Sequence, residues 1–327
     1  MTHVFFHVGM PKCASSTVQA YFNKYDFDNR KHGVCYPGEY RSQGGYFSHE
    51  PLARISPNQI EPALDKISEE AQSAATIFLS SEEFVNSRWD HDVTRKLIRG
   101  LNERFGAKNV SFLFIIRNHI SFIESAYAQF LKGGLFRVDA KRLFKETEGA
   151  VSNYCNFFRE KNGFDFFSFS HFIKHFLSLS GNKNKPLVLS TEKADNEQGD
   201  VLITLCELLK LPVQSFPMPR NKRFSSRALL ALRMALQEFP VKEVRQHRRI
   251  IQNRFADCAE GFSPILHVDS KLQAQVSSIQ IQDKKYLQQI SKSDFPGVFK
   301  EINLMHKKEE EIYLCEEDKL FIKSLLR

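Results

Sequence analysis

At 327 residues with a net charge of +8, the chain is long enough for one large α/β domain or two smaller ones. No apolar run reaches the roughly 18–20 residues of a membrane-spanning helix. The N-terminus enters a strand pattern directly, without a signal peptide, so the expectation is a soluble, cytoplasmic protein. The six cysteines (13, 35, 155, 206, 258 and 315) are scattered and form no C-x-x-C pair. That spacing argues against a disulfide framework or a zinc site and predicts reduced, mostly buried thiols. The thirty phenylalanines read as core, with Phe157, Phe158, Phe164, Phe166, Phe167, Phe169 and Phe172 packing one side of the fold.

In chain order, Phe5-Phe6-His7-Val8 reads as a short buried strand, and the spacing of Val18, Tyr21 and Phe22 is helical from Thr17 onward. Between them lies Gly9-Met10-Pro11-Lys12-Cys13-Ala14-Ser15-Ser16-Thr17. A strand turning through small residues into a helix aims backbone N–H groups and the positive end of the helix dipole at one point. Lys12 adds a mobile full charge. Such a loop binds phosphate or sulfate. The nucleotide P-loop pattern G-x-x-x-x-G-K-S/T is absent, because the lysine precedes the small-residue run. The Cβ of Ala14 predicts a negative φ at that position.

Residues 31–56, rich in Gly, Tyr and Ser, read as a long loop of the kind that is functional or mobile. A helix over 60–71 leads to a strand at 75–80, whose end carries Glu82 and Glu83. A helix over 92–104 feeds the apolar strand Val110-Ser111-Phe112-Leu113-Phe114-Ile115-Ile116. Arg117 leaves that strand, and Ser125 follows eight residues later on a helix over 120–131 that ends at Gly133-Gly134. Helices near 151–161 and 169–179, a strand at 186–190 and a helix over 200–211 come next. After a loose boundary at 212–219, Ser225 or Ser226 is a sensible N-cap for a helix over 227–236. The last hundred or so residues read as mainly helical. The alternation predicts an α/β fold: a mostly parallel central sheet with helices on both faces and a helical C-terminal part. The whole chain, 1–327, is expected to be one domain, with an α/β core over 1–215 and the helical part over 216–327.

The charge is concentrated. Residues 217–256 hold ten basic residues against two acidic ones, Glu238 and Glu243, which accounts for the whole net charge of +8. Such a region raises the local concentration of anionic ligands, or is simply a solvated helix face. No nucleic-acid-binding module surrounds it.

The order Pro11-Lys12-Cys13-Ala14-Ser15-Ser16-Thr17-Val18-Gln19 resembles the 5′-phosphosulfate loop of sulfotransferases that use 3′-phosphoadenosine 5′-phosphosulfate (PAPS). That pattern runs roughly P-K-T/S-G-T/S-T/S-x-L/V-Q. Cys13 stands in place of its hydroxyl residue and Ala14 in place of its glycine, and neither change removes a backbone donor. Arg117 and Ser125 resemble the same family's 3′-phosphate site, where the planar arginine fork gives two charge-assisted hydrogen bonds to one phosphate. Arg220-Asn221-Lys222-Arg223-Phe224-Ser225 resembles a late, nucleotide-proximal segment of bacterial and carbohydrate sulfotransferases.

The resemblance implies a P-loop-like sulfotransferase fold and PAPS as co-substrate, with 3′-phosphoadenosine 5′-phosphate as product and no metal requirement. Lys12 would neutralise charge on the leaving oxygen. Lys12, Cys13, Ala14, Ser15, Ser16 and Thr17 would bind the phosphosulfate, chiefly through the N–H groups from Ala14 to Thr17. Arg117, Ser125, Arg220 and Arg223 would contact the rest of the nucleotide. Glu82 is the expected base for the acceptor, with Glu83, His49 and His119 as competitors. Among the histidines only His171 and His175 have ligand-like spacing, and they read as one helix face.

The chain lacks the R-K-G-x-x-G segment of the small-molecule sulfotransferases, which directs the expectation to carbohydrate sulfation of a sugar or glycan, possibly anionic, at a hydroxyl or amine. A small-molecule acceptor and a non-catalytic anion-binding protein remain open. A P-loop kinase is the other class in view, and it would need a lysine after the glycine run and a magnesium-binding aspartate, neither of which is seen.

Overall fold

Most residues of the sheet's short apolar strands are buried, although Leu187–Ser190 alternates buried with partly exposed positions. β1 (His3–Val8), β2 (Val34–Cys35), β3 (Thr76–Ser81), β4 (Val110–Ile116) and β5 (Leu187–Ser190) form one sheet in the order β2-β3-β1-β4-β5. Every pairing is parallel. This is the α/β architecture expected, seen in a computed structural model that describes residues 2–43, 47–85, 91–133, 150–180, 184–215, 225–255, 270–301 and 314–326.

Register assigns the faces. Phe5 pairs with Phe78, and Phe6 with both Leu79 and Phe112, so neighbouring strands present the same parity to each side. On one face Phe22, from helix α1 (Ser15–Lys24), stacks on Phe78 with ring centroids 4.3 Å apart. On the other, Phe176 from the helix Phe169–Ser180 meets Phe6, Phe112 and Phe114 at 6.1, 5.1 and 5.7 Å. The helix His91–Phe105 packs on that second helix. The connections after the neighbours β1 and β3 therefore leave to opposite faces, which opens a crevice at their carboxyl ends, where open α/β sheets bind ligands.

The chain divides into two compact units. The first comprises Met1–Asn118, Ser168–Pro219 and Gln280–Lys300 and holds the sheet. Asp283 serves it as a remote N-cap, accepting from Phe169 N–H at 2.8 Å, Ser170 N–H at 2.9 Å and Ser168 Oγ at 3.2 Å. The second comprises His119–Phe167, Arg220–Ile279 and Glu301–Arg327, and its described elements are helical. It includes His119–Gly133, Ala150–Asn162, Ser226–Glu238 and Val241–Arg254. Ser225 caps the third of these, its Oγ accepting from Ala228 N–H at 3.0 Å. Lys242, Arg245, Arg249 and Arg254 lie exposed on the fourth.

Three expectations change. The 31–56 segment is not one continuous loop: it contributes β2 to the sheet edge and a short 3-10 turn at Glu50–Ala53. It is held by an ion pair from Asp26 to Arg41 (2.7 Å) and by the Glu70 carboxylate, which accepts from Gly38 N–H at 2.7 Å. The 200–211 helix is shorter, Val201–Leu208, capped at its start by Asp200 and stopped before Lys210, whose φ is +56°. The phenylalanine group does not pack one side of a single body, since Phe157 to Phe167 belong to the second unit while Phe169 and Phe172 belong to the first.

Candidate active site

The loop after β1 is organised around one carbonyl. Met10 O accepts from Cys13 N–H at 3.3 Å and from Ser15 Oγ at 3.2 Å. Lys12 and Ala14 both adopt left-handed backbone, with φ of +68° and +61°. The negative φ expected for Ala14 is thus overturned. Its Cβ disfavours the conformation, but two N–H groups, of Thr17 at 2.9 Å and Val18 at 3.0 Å, donate to Ala14 O and hold it there. Left-handed residues in such a turn orient neighbouring N–H groups into a concave nest that suits an anion. No side chain caps α1. With Thr17 N–H committed to Ala14 O, the N–H groups of Ser15 and Ser16 are the donors at the helix start that the helix leaves unused.

Glu82, one residue past β3, reaches this loop because residue 9 has no side chain. A Cβ on Gly9 would stand 2.9 Å from both Glu82 Cγ and Ser15 Oγ, and 3.2 Å from Glu82 N. Gly9 N–H also donates to Ser81 O at 3.1 Å, which extends the β1–β3 ladder to the crevice. Burial pushes the Glu82 carboxyl up to about 7. The nearby Lys12 charge and a hydrogen bond with Ser15 oppose that rise, while Glu83 and Glu50 add to it. A carboxyl poised at that value changes protonation at neutral pH, as a general base requires.

Arg117, directly after β4, turns toward the same loop and donates from Nη1 to Lys12 O at 3.4 Å. Between these groups Cys13 is fully buried. Burial drives its thiol far above the usual range; Arg117 opposes the shift, and Glu82 and Glu192 reinforce it. Cys13 therefore stays protonated and is no nucleophile.

Beneath the loop lies a polar layer that sequence patterning does not reveal. Ser80 Oγ meets His7 Nδ1 at 2.8 Å and accepts from Gln19 Nε2 at 3.1 Å. His49 Nδ1 accepts from Ser80 N–H at 3.0 Å, and its Nε2–H donates to Pro37 O at 2.9 Å. With both ring nitrogens committed and burial lowering its value to about 4, His49 is a neutral brace between the 37–49 segment and β3. His7 and Ser80 are a paired register position, a relation that only the strand pairing reveals.

Lys12 to Thr17, Glu82 and Arg117 are thus gathered at the carboxyl edge of one sheet. Glu83 follows on a 3-10 turn, its N–H held by Ser81 Oγ at 3.1 Å. Ser125 lies half-buried on the helix His119–Gly133 of the second unit, which His119 opens as a buried residue. Arg220 and Arg223 lie outside the described residues. His171 and His175 share the helix Phe169–Ser180. Among the described residues no cluster of three His, Cys, Asp or Glu side chains could hold a metal ion. None of their helices is long and apolar enough to cross a membrane.

No family model matches the chain, and no curated protein does. Among solved structures it is similar to a sulfotransferase from Alicyclobacillus acidocaldarius. The similarity covers 92% of this chain and 97% of that one, at 10% identity and a TM-score of 0.43.

Proposed function

We propose that the protein is a sulfotransferase that moves the sulfuryl group of PAPS to a hydroxyl or amine, most readily that of a sugar or glycan. The observation that carries this reading is the convergence of three features on one loop: unused N–H donors at the start of α1, the Lys12 ammonium, and a Glu82 carboxyl raised to about 7. An anion-binding protein has no use for a carboxylate beside its anion, where it repels the ligand. A transferase needs one, to take the acceptor's proton as the new bond forms.

In the proposed reaction the acceptor oxygen or nitrogen attacks sulfur in line with the departing 5′-phosphate oxygen. The S–O bond to that phosphate breaks, the acceptor's proton passes to Glu82, and 3′-phosphoadenosine 5′-phosphate leaves. Sulfuryl transfer, like phosphoryl transfer, asks the protein mainly for positioning and for stabilisation of charge on peripheral and leaving oxygens. The Ser15 and Ser16 N–H groups would hold the phosphosulfate, with Ala14, Cys13 and Thr17 shaping the turn. Lys12 would meet the charge that grows on the leaving oxygen. Arg117 would grip the 3′-phosphate, and Ser125, Arg220 and Arg223 stay in the proposal on sequence resemblance alone.

The test is ligand discrimination followed by turnover. Metal-free 3′-phosphoadenosine 5′-phosphate at 100 times its Kd should stabilise the protein by about 2.7 kcal/mol, with AMP far weaker. PAPS turnover against an acceptor panel, read by mass spectrometry, should then give a sulfated sugar. Equal thermal shifts with the two nucleotides would sink the 3′-phosphate assignment. Sulfation confined to small aromatic or steroidal alcohols would replace the sugar acceptor with a small-molecule one.

A further inference from the structure

The carboxyl edge beside Arg117 is tied to a segment about 180 residues later in the chain. Asn118, almost fully buried, donates from Nδ2 to Val298 O and to Lys300 O, both at 3.0 Å. Its backbone N–H donates to Glu192 Oε1 at 3.0 Å. The Asp195 carboxylate accepts from Gly297 N–H and, at 3.1 Å, from Val298 N–H. Residue 297 must be glycine for this approach, since a Cβ there would stand 2.6 Å from Glu192 Cβ. Asn196 closes the ring, with Nδ2 on Ser190 O at 2.9 Å and on Glu192 O at 2.8 Å.

On the other side of Arg117, Ile116 O accepts from Thr191 N–H at 2.9 Å, which continues the β4–β5 ladder. The backbone is therefore fixed immediately before and immediately after Arg117. A planar guanidinium loses less conformational entropy in gripping a phosphate when its backbone is already held.

Resting on the reading of Arg117 as the 3′-phosphate contact, we infer that Asn118 is a positioning residue for it: by clamping the 297–300 turn and Glu192 it fixes the strand end from which Arg117 reaches the nucleotide. Asn118 touches no ligand in this account. Its contribution is specific to the 3′-phosphate, which separates it from a general role in folding.

The experiment measures Kd by calorimetry for 3′-phosphoadenosine 5′-phosphate and for AMP, and takes their ratio as the worth of the 3′-phosphate. Asn118→Asp keeps the size, removes both amide donors and sets a carboxylate against two carbonyl oxygens and Glu192. The ratio should fall about tenfold or more, since two buried hydrogen bonds are lost from the turn, with AMP affinity within about twofold of wild type. Asp195→Asn, which loosens the same turn from its far side, should lower the ratio in the same direction and serves if Asn118→Asp does not fold.

A ratio unchanged in both variants, or equal weakening of the two nucleotides, overturns the inference while leaving Arg117 in its role. Failure of the underlying reading looks different. In that case the wild-type ratio is already near one, or Arg117→Ala leaves it untouched.

Discussion

Gly9 and Glu82 meet across the crevice between β1 and β3 so closely that a single methyl group would not fit, with 2.9 Å from its position to Glu82 Cγ and 3.2 Å to Glu82 N. The side-chain contact could be relieved by rotation of Glu82. The backbone contact requires the strand end to move. Gly9→Ala should therefore act on both chemistry and stability. Overpacking at such a site costs about 1–3 kcal/mol, measurable by chemical denaturation, and the displaced carboxylate should lower kcat with little change in nucleotide Kd. Wild-type turnover in the Gly9→Ala variant would mean that Glu82 has no need of its present place.

The raised Glu82 value gives a pH signature with a definite sign. Acting as a base, Glu82 must be ionised, so kcat/KM for PAPS, which reports the free enzyme, should rise with pH through a limb near 7. A bound phosphosulfate, being anionic, should move that limb higher in kcat. For stability the sign is the reverse. The native state keeps the proton to about 7 while the unfolded chain releases it near 4.5, so this group's contribution falls as pH rises between those values. Glu82→Gln should abolish the acidic limb, lower turnover by about 10²–10⁴, and raise the melting temperature more at pH 8 than at pH 5. The matching Glu83→Gln should leave all three near wild type. If Glu83→Gln is the inactive variant, the roles are exchanged.

Much of this site is legible in local sequence, because its backbone features are local. The strand–small-residue–helix order around Lys12 needs only neighbouring residues, and the apolar run 110–116 puts Arg117 at a strand end. Glu82 is legible from its place just past a short apolar strand. What escapes sequence reasoning depends on contacts between distant segments. The close approach of Gly9 to Glu82 spans some 70 residues, and the Asn118 clamp spans about 180. β2 escapes for another reason: two residues carry no periodicity, and Val34 and Cys35 are strand only because β3 offers an edge. At Ala14 intrinsic preference gives the wrong sign of φ, because it leaves out the hydrogen bonds converging on Met10 O and Ala14 O.

Lys12 and Arg117 should fail in different ways. The role given to Lys12 is to balance charge that grows only as the leaving oxygen departs, so Lys12→Ala should lower kcat by about 10²–10³ with most nucleotide affinity retained. Arg117 is assigned a contact present in substrate and product alike. Arg117→Ala should raise Kd for 3′-phosphoadenosine 5′-phosphate and leave AMP almost unaffected. Because Arg117 also donates to Lys12 O at 3.4 Å, a secondary fall in kcat is expected from a looser loop. Rapid-quench single-turnover measurements at saturating PAPS separate the two effects. Equal losses in Kd and chemistry for both variants would contradict the division of labour.

Ala14 provides a test of the loop that is independent of any ligand. It sits at φ +61° and ψ +7°, a conformation disfavoured for an L residue and open to glycine. Its hydrogen bonds run through its carbonyl, which glycine retains. Ala14→Gly should therefore relieve strain of about 1 kcal/mol, offset in part by the greater freedom of glycine in the unfolded chain. The net expectation is a small gain in stability, with nucleotide Kd within about twofold of wild type. Ala14→Val, which brings a branched side chain to the same backbone, should cost more than Ala14→Gly gains and weaken the phosphosulfate site as the turn opens. Urea denaturation of the three proteins gives the order directly. If glycine is destabilising by about 1 kcal/mol or more while valine is neutral, residue 14 has negative φ in solution, and the concave arrangement of N–H groups described for this turn does not exist.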